Sequence, residues 1–300
     1  MINHALPQIH AVEGIRTHPG RLRSEVGRLL LYLLALVFGI AFMVPFFWTV
    51  GSALKDPMEM YAYPPLLFPA VPRWGNFVSV WNEVPFGKWM LNTVTVTVLG
   101  TAGTLLSSAL VAYSFARFRY PGRDAIFLGT LATMMLPTEV TLIPTYLFYN
   151  YIGWLDTLLP LIVPYWFGVG AFNIFLLRQF FMTIPSEFDD SAKIDGASSL
   201  RIWWSILMPL SKPALATLAV LSFIWQWNDF MFPLIILNSP ENFTLAIGLR
   251  HFQQMADIQS MPRQHLLMAA SLMVSLPTLV TFFLAQKHFV RSIVMTGIKG

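Results

Sequence analysis

The sequence predicts an all-α fold, a polytopic membrane protein with six transmembrane helices. Three observations carry that expectation. Apolar residues make up 56% of the 300 and charged residues only 11%, too few to wet the surface of a soluble domain of this size. The apolar residues gather into six runs, each about 20 residues long, the length that crosses the hydrocarbon core of a bilayer. The Lys and Arg residues fall unevenly on the segments between the runs.

Residues 1–28 read as a polar tail with Arg16, Arg21, Arg23 and Arg28, and with His4, His10 and His18 too widely spaced for a metal site. The first span, 29–50, is longer than the apolar part of a cleavable signal, and Pro45 is expected to kink it. An outer loop, 51–89, follows, rich in Pro and carrying Trp74, Trp81 and Trp89, a composition suited to an ordered segment at the membrane interface. The second span, 90–116, is rich in Thr, Ser, Gly and Ala, which let helices approach closely. A basic turn with Arg117, Arg119 and Arg123 separates it from the third span, 125–149, which is broken by Pro137 and Pro144 with Glu139 between them.

The fourth span, 158–177, is interrupted by Pro160 and Pro164. A polar loop, 178–213, comes next; its stretch 200–208, with Trp203 and Trp204, is expected to lie flat at the interface. The fifth span is 214–237, the outer loop 238–265 shows no clear periodicity, and the sixth span is 266–286. The six-helix domain thus runs over 29–290, with a second tail at 291–300. Six spans put both ends on one side. That side holds 14 of the 19 Lys and Arg residues, so the positive-inside rule places both termini and the loop 178–213 in the cytoplasm.

The sequence offers no catalytic site. There is no cysteine, no phosphate-cradling GxxxxGK[ST], no HExxH and no GxSxG, and His251, His265 and His288 form no metal-ligand spacing. The expectation is therefore a non-enzymatic membrane protein that binds no metal or cofactor, with lipid and not nucleic acid around it. Inside the spans only Glu139 and Asp229 are ionisable, and each must face the bundle interior or water. They read either as a proton relay, which would make the chain an ion- or proton-coupled carrier, or as groups that line a polar cavity or cap broken helices. The cluster Trp225, Gln226, Trp227, Asn228 and Asp229 likewise allows two readings: indole faces and polar groups suited to a sugar, or bundle packing with an interhelical hydrogen bond.

The loop carries the most specific signal. In Ser186-Glu187-Phe188-Asp189-Asp190-Ser191-Ala192-Lys193-Ile194-Asp195-Gly196, Ser186 is placed to cap a short helix and three acids sit where a helix N-terminus favours negative charge. Asp195-Gly196 ends it, because glycine takes the left-handed conformation at no steric cost. Taken alone, this segment is either an amphipathic connector on the membrane or a rigid acidic peg presented to a partner.

Asp190-Ser191-Ala192, three residues, Gly196, nine residues, Ile206 and Met208-Pro209 resemble the EAA loop of the permease subunits of bacterial ABC importers. Asp190 stands for the usual Glu, Ser191 for the first Ala and Met208 for Leu. The resemblance runs from about residue 52 to 300 and is similar to the carbohydrate-uptake, maltose-transporter type. It rests also on Leu91-Asn92-Thr93, Ala112-Tyr113-Ser114-Phe115-Ala116-Arg117-Phe118, Met135-Leu136-Pro137 with Ile143-Pro144-Thr145-Tyr146, Leu177-Arg178-Gln179-Phe180-Phe181, Trp227-Asn228-Asp229 and the closing Gly297-Ile298-Lys299-Gly300.

The resemblance implies the type I ABC importer permease fold and a role in ATP-driven import of an oligosaccharide or related polyol across a bacterial or archaeal inner membrane. It implies a second permease subunit completing a heterodimer, two copies of a cytoplasmic ATPase that hold ATP and Mg, and an extracytoplasmic sugar-binding protein that meets the loop 238–265. Glu187, Asp189, Asp190, Ser191, Ala192, Asp195 and Gly196 are then expected to couple to the ATPase. Glu139, Tyr146, Trp225, Trp227, Asn228 and Asp229 are the candidate substrate path.

Overall fold

The computed structural model describes the backbone of residues 19–168, 170–258 and 263–296, and the side chains of 27–168, 170–255 and 263–286. The expectations for the two tails, including the three early histidines and Gly297 to Gly300, lie outside the described residues. Residues up to Thr49 and residues from Val50 onward are two compact units.

Helices α1 (Pro19–Ala53), α2 (Gly75–Glu83) and α3 (Phe86–Arg117) come first. Pro45 lies inside a helix that continues on both sides of it, and its carbonyl accepts from Thr49 Oγ1 at 2.9 Å. The segment 51–89, expected as an outer loop, is ordered by α2, where buried Asn76 donates through Nδ2 to the carbonyls of Ala53 and Lys55, both at 2.9 Å. Its last four residues, from Phe86 to Trp89, belong instead to the first turn of α3.

Then follow α4 (Arg123–Ala132), α5 (Thr138–Tyr151), α6 (Leu159–Ile162) and α7 (Ala171–Thr183). Pro137 has no N–H to continue the helix, and the pair Arg123–Met135 and Thr138–Tyr151 bends there by 100°. Arg178, assigned by sequence to the polar loop, is still in α7, which runs on to Thr183. The loop holds α8 (Glu187–Ile194), α9 (Ser199–Ile202) and α10 (Met208–Leu210), with a π-helical turn at Trp203–Leu207 ahead of Pro209. Ser199–Leu210 meets α11 (Lys212–Trp227) at 81°. Trp203 turns into the core and Trp204 outward.

The fifth span is shorter than predicted: α11 stops at Trp227, and a separate short helix, α12 (Met231–Ile236), follows the break at Asn228-Asp229. The loop without evident periodicity is largely a helix, α13 (Leu245–Ile258), and α14 (Gln264–Thr296) is last. Among the described residues four helices are long and apolar enough to cross a membrane, and six if each of the two bent pairs is one span.

Helix α3 is central. Phe86, Trp89 and Val96 join one buried cluster with Tyr149, Leu161, Trp227, Ile236, Leu245, Phe252 and Ala269. Ala109, Ala112, Tyr113 and Phe115 join a second with Ile174, Leu177, Phe181, Trp203, Leu207 and Leu218. Between the clusters its buried face is small and polar, from Thr97 through Gly100 and Thr104 to Ser108, which allows the close helix contacts expected from composition. The Gln226 amide of α11 keys into this stretch; with its oxygen and nitrogen exchanged, the orientation that satisfies both, it donates to the Val96 carbonyl and accepts from the Thr101 N–H, both at 3.1 Å.

Candidate functional site

The acidic segment folds as a two-turn helix, α8, with a well-defined end. Gly196 has φ +78°, its N–H donates to the Lys193 carbonyl at 3.0 Å, and the Ala197 N–H donates to the Ala192 carbonyl at 2.9 Å. These two bonds make the glycine-ended C-cap that the sequence predicts. The start differs. Ser186 has helical φ and ψ (−69°, −19°) and its hydroxyl makes no capping bond, because a capping side chain needs an extended backbone to turn back onto the first N–H groups.

Two of the seven coupling candidates face inward. Asp189, only 4% exposed, forms an ion pair with Arg117 Nε at 2.8 Å, and Ala192, three residues on, is buried on the same face. Burial pushes the Asp189 carboxyl above its usual range, against the pull of the Arg117 and Lys193 charges. Asp189 therefore acts through α3 and offers nothing to an outside partner. Glu187, Asp190, Ser191, Asp195 and Gly196 are exposed, together with two apolar residues that sequence reasoning passed over, Phe188 and Ile194, the latter 87% exposed. Phe188 and Ile194 thus stand beside the exposed acids on the outward side of α8.

The end of α3 meets this segment at three points. Arg117 donates through Nη2 to the Ile184 carbonyl at 2.8 Å in addition to pairing with Asp189, and Tyr113, one turn earlier, stands beside the Ser199 side chain. Arg178 of α7 stands against the same end, with Nε 3.3 Å from the Phe115 carbonyl and its guanidinium 4.3 Å from the centre of the Phe127 ring. Arg117 carried a sequence signal, since it lies within the Ala112–Phe118 stretch, but a basic residue ending a span reads first as topology.

The candidate substrate path is not gathered on one surface. Trp227 is 3% exposed, stacks on Phe223 and donates through Nε1 to the Val274 carbonyl at 3.0 Å, which is packing of α11 on α14. Trp225 points the other way and is 75% exposed. Asn228 turns its amide back to the Ile224 carbonyl of its own helix at 2.7 Å. Asp229 faces the backbone N–H groups of Phe230 and Phe232 and lines a cleft with Thr93, Tyr165, Gln226 and Thr244. Its free space, about 10 Å³, admits one water and no sugar. Tyr146 is half-buried against the core, and Glu139 is exposed at the start of α5 beside exposed Val140 and Ile143. A carboxylate on such a face cannot stand in lipid, so the face meets water or another protein.

At the other end of the bundle is a clasp that sequence reading missed. Asp156, at φ +57°, accepts from the N–H groups of Asn238 and Ser239, both at 2.9 Å, and from the Ser239 hydroxyl. Asn242 Nδ2 donates to its carbonyl at 2.6 Å, and its own N–H donates to the Ile236 carbonyl at 2.9 Å. Burial pushes the Asp156 carboxyl up, but the bonds from Ser239 and Asn238 outweigh it and hold the group at about 2. Only the unusual backbone makes this aspartate special, and a lone Asp in a turn announces none of it.

Comparison with known proteins agrees with this architecture. Residues 104–295 match the family described as binding-protein-dependent transport system inner membrane component. The chain is 35% identical over 266 residues to the sn-glycerol-3-phosphate transport system permease protein UgpE of Pectobacterium atrosepticum, covering 86% of this chain and 93% of that one. It is 31% identical over 283 residues to the galactooligosaccharides transport system permease protein GanQ of Bacillus subtilis, covering 93% and 98%. A chain from the crystal structure of a bacterial ABC transporter involved in the import of the acidic polysaccharide alginate superposes with a TM-score of 0.79 at 24% identity, over 89% of this chain and 98% of that one. With the fold, the bent spans and the loop helix in place, the chain belongs to the family of inner membrane components of binding-protein-dependent transport systems, as a permease subunit.

Proposed function

We propose that this permease translocates an oligosaccharide or related polyol, delivered by an extracytoplasmic binding protein, and that a separate ATPase pair drives it through α8. The observation that carries this reading is the geometry of α8: a capped, acid-rich helix, braced by Arg117 from within, that presents Phe188, Ile194, Glu187 and Asp190 outward. The polyhydroxylated compounds named for the relatives support the substrate class. The distribution of Lys and Arg supports a cytoplasmic α8 and cytoplasmic termini. Exposed Glu139 on an otherwise apolar face supports a second permease subunit packed there, with the substrate path between the two. ATP and Mg belong to the ATPase subunits.

The test is Asp190→Lys in the complete transporter. Among the described residues Asp190 pairs with Lys193 alone, at 3.3 Å on the surface, so its loss costs the fold about 0–1 kcal/mol. Insertion and assembly should be normal while sugar uptake per ATP hydrolysed falls severalfold. Uptake at the wild-type ratio would count heavily against the assignment. The carrier alternative has its own discriminator: uptake that follows a pH gradient without ATP and is abolished in the pair Glu139→Gln and Asp229→Asn.

A further inference from the structure

Helix α3 is pinned at both ends to the two segments that face partners, and it is built to stay rigid between them. At its Phe86 end, Trp89 donates through Nε1 to the Pro240 carbonyl at 2.8 Å. Asn92 donates through Nδ2 to the carbonyls of Glu241 (2.9 Å) and Phe243 (3.0 Å). Thr93 Oγ1 accepts from the Leu245 N–H, the first of α13, at 2.8 Å. Gly248 of α13 lies so close that a Cβ there would stand 2.2 Å from the Trp89 ring, so α13 rests on that indole. At its other end Arg117 holds Ile184 and Asp189 around α8, with Tyr113 beside Ser199.

From Trp89 to Arg117 is about 42 Å of helix, more than the hydrocarbon thickness. Every other predicted span contains proline (Pro45; Pro137 and Pro144; Pro160 and Pro164; Pro233; Pro277), and the approach to the fifth adds Pro209 and Pro213. The stretch from Phe86 to Arg117 contains none. A proline-free helix transmits displacement along its axis, whereas prolines give the others places to flex.

We propose that α3 is the rod by which the outer segment 240–258 and α8 sense each other, with Trp89 and Asn92 as positioning residues at the outer joint and Arg117–Asp189 as the inner pin. This rests on the transport reading above, in which α13 and its lead-in meet the binding protein. Coupling between the two surfaces is then reciprocal, and either joint, once loosened, breaks the same path.

The experiment uses the complete transporter in nanodiscs, reading basal ATPase and its stimulation by sugar-loaded binding protein. Asn92→Leu and Trp89→Phe should each leave assembly and basal ATPase unchanged and lower the stimulation about three- to tenfold. Trp89→Phe keeps a ring over Gly248 and loses only the N–H, so it stands as the test if Asn92→Leu does not assemble. Thr93→Ser, which keeps the acceptor for Leu245, should retain the stimulation that Thr93→Val loses. Combined with Asp189→Asn, Asn92→Leu should lower stimulation no further than the worse single variant. Full stimulation in Trp89→Phe, or losses that multiply in the double variant, would overturn the rod. A wild-type complex that does not respond to binding protein would instead sink the transport reading, so the two failures are distinguishable.

Discussion

Gly196 sets the length and exit direction of α8, and its replacement gives a graded test. At φ +78° a residue with a Cβ sits in the left-handed region, at a cost of about 1–2 kcal/mol for an ordinary L-residue and less for asparagine. No atom lies within 4 Å of where that Cβ would stand, so the cost is conformational and no clash adds to it. Valine, branched at Cβ, should exceed alanine. Proline cannot reach a positive φ and also removes the N–H that bonds Lys193, so the cap dissolves, at about 3 kcal/mol or more. The measurement is amide exchange over 190–199 in the assembled transporter. Each 1.4 kcal/mol is tenfold in opening, so alanine should speed exchange by about 5–30-fold and proline by more than 100-fold. Uptake per ATP should fall in the same order: Gly, Asn, Ala, Val, Pro. Alanine exchanging at the wild-type rate, or asparagine ranking below it, would rule out a conformational origin for the loss.

Asp189→Ala should destabilise the α8 end of the bundle by about 3–5 kcal/mol, since it leaves Arg117 buried without its charge partner, and melting of the purified transporter should drop accordingly. Asp189→Leu with Arg117→Met should recover most of that loss, because an apolar pair replaces two desolvated charges. Asp156 gives a pH signature. Its folded carboxyl, at about 2, lies below the unfolded value of 3.8, so its contribution is full above 3.8 and drains away as pH falls toward 2. Melting temperatures at pH 5 and pH 3 should therefore differ less in Asp156→Asn than in wild type. That variant should also lose about 1–2 kcal/mol at pH 7, as charge-assisted bonds at a partly exposed site weaken.

The apolar spans, the prolines that break them and the glycine that ends α8 were legible in the amino-acid order, because they follow from local composition and from backbone preferences a few residues long. The same locality limited it at the polar positions. Glu187, Asp189 and Asp190 read alike as acids in a first turn, and only the approach of Arg117, 72 residues earlier, turned Asp189 into an internal pin while its neighbours stayed outside. Trp225 and Trp227 read alike as aromatic, and only the α11–α14 contact buried one and left the other exposed. Asp156, Trp89 and Asn92 each find partners more than 80 residues away in the chain. Which polar group meets which depends on where the bundle's helices come to rest, and no local pattern encodes that.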